Sequence, residues 1–334
     1  MTQERFRRSS RDLTKAYNIT KLKELKVYTD LDRYEDHPIP SVLTIGTFDG
    51  VHIGHQKIIE RLNQLKSANE RSMILTFDPH PRQVIDQSNS IKMLNTSDEK
   101  KHLLETFGLD QLMIIPFTKE FSRLTALEFV RDILVNKLHV KKLVIGYDHQ
   151  FGKNREGNFE QLVEFSELYG FEVERIPAQE IKDVSVSSTK IRNALEEGDI
   201  NTANKYLGYA YKLSGEIVSG KGLGRTIDFP TINMKVDESN KLIPKKGVYV
   251  VKTKIDGATI YGIMNIGYRP TVGGIDKTIE IHLLDFEGNL YGKSMRISVL
   301  RRLRDEKKFD SIDALSQQIK ADEKAARNWI ESIK

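Results

Sequence analysis

The chain has 334 residues, 39% hydrophobic and 30% charged, with no cysteine and a formal net charge of +5. That length suits two domains, each able to bury a core, and the lack of cysteine excludes disulfides, cysteine-ligated metal centres and a thiol nucleophile. No stretch approaches the ~20 apolar residues of a membrane span or the apolar core of a signal peptide, so a cytoplasmic protein without a membrane partner is expected.

In chain order, residues 1–26 are a basic extension with eight Lys or Arg against three Asp or Glu, and the remainder carries 44 of each sign. A charge-neutral body offers no basic face, so no nucleic-acid partner is expected. From Ser41 to about Gly208, short apolar runs alternate with amphipathic ones. Ser41–Ile45, Ser72–Phe77, Leu112–Phe117, Leu143–Ile145 and Phe171–Ile176 read as strands, and His55–Lys66, Ala126–Leu138 and Asn158–Tyr169 as helices. Near-continuous apolar strands between helices predict a parallel sheet covered on both faces, with ligands at the carboxyl ends of its strands.

A domain boundary is expected near residues 201–211, because the strands then follow one another directly. They are Tyr211–Val218, Gly247–Ile255, Thr259–Ile266, Thr278–Phe286 and Ser294–Leu303. Asp256-Gly257 marks a tight hairpin, and the pattern predicts an antiparallel barrel or sandwich. A last helix, about Ser311–Ile333, is capped by Asp310 or Ser311 and anchored by Trp329.

Two segments of the first unit carry chemistry. Gly46-Thr-Phe-Asp-Gly-Val-His-Ile-Gly-His55 joins the first strand to the first helix. Glycines at 46, 50 and 54 permit a sharp turn and close ligand approach, and the helix start presents free N–H groups to an anion. His52 and His55, three residues apart, share one face and can donate to phosphate oxygens as charge develops. That spacing, without a third ligand nearby, argues against zinc. Ser187, Ser188 and Thr189 read as the start of a further helix that converges hydroxyls on an anion, with Arg192 one turn on for a forked contact.

In the second unit, Gly220, Gly222 and Gly224 alternate with Lys221 and Arg225 nearby, which suits backbone approach to phosphates. Thr231 and Asn233 in Pro230-Thr-Ile-Asn233 face the same side of an extended segment, and both offer hard oxygens suited to Mg²⁺. On a later strand Ile279, Ile281 and Leu283 share one face while Glu280 and His282 take the other.

Gly46–His55 resembles the His-x-Gly-His signature of the nucleotidyltransferase superfamily. More narrowly, it resembles the flavin adenylyltransferase half of the bacterial bifunctional riboflavin kinase/FAD synthetases. Phe77-Asp-Pro-His-Pro-Arg82 resembles that family's flavin-contacting loop, Gly146–Gly157 its second flavin and nucleotide loop, and Ser187–Arg192 its triphosphate motif. Pro230–Asn233 resembles the Pro-Thr-Ala-Asn motif of the riboflavin kinases, with Ile232 in the Ala position and Asp228 where a glycine is usual. Asn265–Thr271 and Leu303–Phe309 resemble loops around the kinase flavin.

The resemblance implies an α/β plus all-β chain. A Rossmann-like nucleotidyltransferase domain with a parallel sheet would span 27–205, and an antiparallel β-barrel riboflavin kinase domain ending in a helix would span 206–334. It implies phosphorylation of riboflavin to FMN by ATP with Mg²⁺, then adenylyl transfer from ATP to FMN, giving FAD and pyrophosphate. Flavins would be substrates and products. His52, His55, Arg192 and Glu280 would be catalytic, Glu280 accepting the ribityl hydroxyl proton. Nucleotide would be held by Gly46, Phe48, Asp49, Gly50, Gly54, Ser187, Ser188 and Thr189 in one domain. In the other it would be held by Gly220, Lys221, Gly222, Gly224 and Arg225. Phe77, Pro79, His80, Asp148, Phe151 and Arg304 would contact flavin, and Thr231 and Asn233 would hold Mg²⁺. The rivals are a chain with one live activity, Asp228 making the kinase the lost one, and a flavin-sensing, nucleic-acid-binding regulator resting on the basic extension. The sequence sets no oligomeric state.

Overall fold

The computed structural model describes residues 24–34, 39–86, 91–146, 149–176, 186–219, 229–271 and 274–333. Most of the basic extension, Asp148 and the 220–228 glycine loop with Asp228 lie outside the described residues.

Six strands, β1 (Lys26–Tyr28), β2 (Ser41–Ile45), β3 (Arg71–Asp78), β4 (Gln111–Pro116), β5 (Val140–Gly146) and β6 (Glu172–Ile176), form one sheet in the order β1-β4-β3-β2-β5-β6. Every neighbouring pair is parallel. β2 lies inside the sheet with all five residues buried, which is why it reads as a continuous apolar run. Winding proceeds from β2 to β3 on one side and resumes at β5 on the other, so a crevice opens between the carboxyl ends of β2 and β5.

Helices α1 (Ile53–Leu65) and α2 (Ser97–Thr106) cover one face. There Ile59, Leu62, Leu103 and Leu104 pack on Val42, Ile74, Leu112 and Val144. The opposite face carries α3 (Ala126–Glu128, running on in wider π-type turns over Phe129–Lys137) and α4 (Phe159–Tyr169). Phe129, Val130, Leu134 and Leu162 meet Leu43, Met73, Met113 and Leu143 there. Alternate strand residues thus serve opposite faces, and each fully buried Leu or Ile contributes about 1.5–3 kcal/mol.

α5 (Ser188–Glu197) and α6 (Ile200–Leu207) follow the sheet in sequence but share the core of the second unit. Ile191, Leu195, Ala203 and Leu207 pack with Tyr211, Leu213 and Val299. Asn204 fixes the junction: its Nδ2 donates to Val299 O at 2.9 Å and its Oδ1 accepts from Tyr211 N at 2.7 Å.

Strands β7 (Tyr211–Val218), β8 (Ile232–Val236), β9 (Gly247–Ile255), β10 (Ala258–Thr271), β11 (Gly274–Leu283) and β12 (Ser294–Arg304) close into a barrel, not a sandwich, in the order β10-β11-β8-β7-β12-β9. Ile217, Met234, Val251, Met264, Ile279, Ile281 and Ile297 belong to one buried cluster at its centre, so a ligand is left the barrel's outer face and rim. α7 (Ile312–Ile333) lays Ala326 and Ile330 on Val248, Val250 and Ile263. Ser311 supplies its cap, its Oγ accepting from Ala314 N at 3.2 Å, and Trp329 packs at the edge of the same cluster.

Asp256 and Gly257 turn the β9–β10 hairpin at φ 49° and 82°. A Cβ on Gly257 would meet nothing within 4 Å, so Gly257→Ala isolates the cost of a left-handed backbone. Stability should fall by about 1 kcal/mol in urea unfolding; an unchanged midpoint would mean that the turn relaxes without cost.

Candidate active sites

The carboxyl ends of β2 and β5, the loop after β3 and the start of α5 line an open cleft of about 1060 Å³. Its two ends differ in chemistry. Gly46, Asp49, His52, Gly54, His55, Ser187, Ser188, Thr189 and Arg192 line the polar end, and Phe77, His80 and Phe151 stand on the remaining wall.

The polar end rests on the loop from Gly46 to His52. Phe48, Gly50 and Val51 take positive φ there (47°, 85° and 35°), and a Cβ at Gly50 would sit 2.7 Å from Leu94. This bent loop aims Asp49, 1% exposed, away from solvent. One carboxylate oxygen accepts from Leu94 N at 2.9 Å and the other pairs with the Arg192 guanidinium. Burial raises the Asp49 pKa, and Arg192 and Lys100 oppose that rise. Arg192 also donates through Nε to Lys92 O at 2.7 Å. Ser188 Oγ donates to Asp49 O at 2.8 Å, while Ser187 caps α5 by accepting from Lys190 N. Phe48 does not line the cleft: it is a core residue, 2% exposed, whose ring braces His55 at 4.6 Å.

His52 caps α1, its Nδ1 accepting from His55 N at 3.4 Å. The ring proton is thereby assigned to Nε2. The two imidazoles stack at 3.7 Å, in space that exists because a Cβ at Gly54 would lie 3.3 Å from the His52 ring. Burial pulls the His52 pKa down to about 4. Burial, with His52 and Lys100 adding to it, holds His55 well below its ordinary value. At neutral pH both rings are therefore hydrogen-bonding groups and carry no charge. Arg192 and Lys100 bring positive charge near these rings, Lys100 donating from α2 to Thr47 O at 2.9 Å, and Arg82 and Arg155 also line the cleft.

At the other end Phe77, Phe117, Phe121, Phe129 and Phe151 form a continuous aromatic wall, with successive ring centroids 5.4 to 6.0 Å apart. His80 caps a short helix, Nδ1 accepting from Arg82 N at 3.1 Å, and burial lowers its pKa to about 4. Pro79 joins it to β3 through a cis peptide bond.

A second constellation lies on the barrel. In register, β11 places Glu280 directly opposite Asn233 of β8 on one side and Asn265 of β10 on the other. Ile279 and Ile281 point inward, so these three side chains share the outer face. Facing pairs of this kind hold their Cβ atoms roughly 5 Å apart. Thr231 precedes β8 by one residue. Nearby His282 donates from Nδ1 to Pro230 O at 2.9 Å and meets the Phe229 ring edge-on at 5.5 Å. Arg304 has a different partner: its guanidinium forks onto Asp322 of α7 at 2.6 and 2.8 Å, so the structure gives it the task of holding that helix.

The FAD synthetase family model matches residues 34–190 and the riboflavin kinase model residues 207–330. A bifunctional riboflavin kinase/FMN adenylyltransferase of Haemophilus influenzae is 38% identical over 294 residues, 87% of this chain and 94% of that protein. The chain belongs to the bifunctional riboflavin kinase/FMN adenylyltransferase family. The family's enzyme from Listeria monocytogenes is 36% identical over 90% of this chain and 98% of its own. A crystal structure from Streptococcus pneumoniae, described as a macrolide-efflux protein, superposes with a TM-score of 0.81 at 29% identity over 92% of this chain and 99% of its own. Among the described residues no helix is long and apolar enough to cross a membrane.

Residue patterns missed Lys100 and most of the aromatic wall. Phe117, Phe121 and Phe129 follow one another in a single stretch but sit in a loop, a 3-10 turn and a helix, so no one periodicity marks them as a set. Lys100 was findable, since Thr96-Ser-Asp-Glu99 is a capping box that announces α2.

The neutral histidines have a pH signature. His52 in the folded chain titrates below its unfolded value of about 6.5, so the unfolded state binds more protons between those values. This contribution is whole above pH 6.5 and is lost as pH falls. Between pH 7 and 5 it amounts to roughly 2 kcal/mol, and His52→Gln should flatten the stability profile by that amount. An identical slope in the variant would show that His52 takes up its proton equally in the folded and unfolded chain, without the shift that burial imposes.

Proposed function

We propose that the chain makes FAD from riboflavin in two steps at two sites. The barrel transfers the terminal phosphoryl of ATP to riboflavin, giving FMN, and the switch-point cleft transfers AMP from ATP to FMN. The observation that carries this reading is the two-ended cleft: an aromatic wall suited to a flat flavin ring lies beside a helix start suited to phosphates.

In adenylyl transfer an FMN phosphate oxygen attacks the α-phosphorus of ATP, the bond to the β-phosphate oxygen breaks, and pyrophosphate leaves. No covalent enzyme intermediate is needed. Neutral His52 and His55 would donate hydrogen bonds to the α-phosphate, and Arg192, already oriented by Asp49, would meet the charge on the leaving group. Lys100 adds a second buried cation beside the loop. Ser187, Ser188 and Thr189 would hold the triphosphate at the start of α5.

In the kinase site Glu280 would accept the proton of the ribityl 5′-hydroxyl as that oxygen attacks the γ-phosphorus. Thr231 and Asn233 fit Mg²⁺, because a hydroxyl and an amide oxygen beside a carboxylate are hard donors. Bound there with ATP, the ion would neutralise phosphate charge. The glycine loop, Gly220 to Arg225, would cover the nucleotide. We infer the domains as 27–205 and 206–334, and take riboflavin, FMN and ATP as the partners of a cytoplasmic enzyme.

Separate sites predict opposite blocks. Glu280→Ala should lower FMN formation by about 10²-fold or more while supplied FMN is still adenylylated. His52→Ala with His55→Ala should do the reverse and accumulate FMN. Chromatographic separation of the flavins checks both, and equal loss of both steps in a folded variant would overturn the two-site reading.

A further inference from the structure

Lys241 lies in the segment between β8 and β9 of the barrel, yet its ammonium reaches into the other unit. Its side chain and that of Glu99 on α2 are both 0% exposed, and the ammonium donates to Glu99 Oε2 at 2.5 Å. It also donates to Leu94 O at 2.6 Å and lies 4.4 Å over the Tyr211 ring. Burying such a pair is costly, and an apolar pair of similar volume is commonly as stable. What the charges add here is a fixed geometry for the peptide they grip.

That peptide, Lys92–Thr96, is held from both sides. On the barrel side, Met93 N donates to Asn240 O and Leu242 N to Met93 O, each at 2.8 Å, and Ser97 N donates to Glu238 Oε1 at 2.7 Å. On the cleft side, Leu94 N donates to Asp49 at 2.9 Å and Lys92 O accepts from Arg192 Nε at 2.7 Å. Leu94 therefore receives a bond from Lys241 at its carbonyl and gives one to Asp49 from its amide. Asp49 in turn pairs with the guanidinium of Arg192.

We propose that Lys241, a residue of the kinase barrel, is a positioning residue for adenylyl transfer: it fixes Lys92–Thr96, and that segment orients the Asp49–Arg192 pair. The proposal rests on the two-step reading above. It makes the adenylyl-transfer site incomplete without the barrel, although the barrel gives it no group that touches substrate.

The test uses the full chain, with initial rates of FAD formation from FMN and of FMN formation from riboflavin, alongside thermal unfolding. Lys241→Met should lower kcat for adenylyl transfer about tenfold and leave the kinase rate within about twofold. Lys241→Met with Glu99→Gln removes the orphaned charge and keeps a side-chain oxygen to accept from Thr96 N, so much of the thermal stability should return while adenylyl transfer stays low. Combined with Arg192→Lys, Lys241→Met should add less than about twofold, because both changes act on one guanidinium. The proposal is overturned if both activities fall together with the folded fraction, if the charge-free pair restores adenylyl transfer, or if the losses with Arg192→Lys multiply. Wild-type protein that makes no FAD would instead sink the functional reading itself.

Discussion

Asp49 is the group on which the arrangement of the cleft depends. A carboxylate at 1% exposure stands at the carboxyl end of the central strand and must be satisfied internally. Its two oxygens take the Leu94 amide and the Arg192 guanidinium, and its backbone carbonyl takes the Ser188 hydroxyl. One residue thereby ties the glycine turn, the segment before α2 and the start of α5. Since α5 and α6 pack into the core of the barrel, the same pair is one of the contacts that join the first unit to the second, with Lys241–Glu99 another.

The electrostatics follow from that packing. A pI near 9.0 describes the whole chain, but the body is balanced and the cleft presents individually placed donors. Burial removes the charge from His52 and His55, and Arg192 and Lys100 supply the positive end close to where phosphate charge would build. Preorganised donors in a partly dry site act more strongly than a diffuse field in water. The barrel solves a different problem. Its centre is filled with apolar side chains, so its polar row of Asn265, Glu280 and Asn233 is displayed outside. Phosphoryl transfer asks mainly for positioning and one base, which such a row suits.

Sequence made the short-range features legible. The strand–turn–helix around Gly46–His55, the cap at Ser187 and the hairpin at Asp256-Gly257 are each encoded within ten residues, and each sits where it was expected. β1 was missed because three residues at a sheet edge, two of them exposed, carry no periodicity. Arg304 read as a flavin contact, but Asp322 reaches it from a helix 18 residues on. The Lys241–Glu99 pair spans 142 residues, and nothing local to either residue announces the other. The local geometry of these segments was thus written locally, while the contacts that couple the units, ion pair and hydrogen bonds included, join residues far apart in the chain.

Following all flavins with time, in one vessel of wild-type protein, riboflavin and ATP with Mg²⁺, tests the central claim most directly. The account predicts that FMN forms first and that FAD then accumulates at its expense, with one pyrophosphate released per FAD. FMN that persists with no FAD, or riboflavin left unchanged, would contradict it.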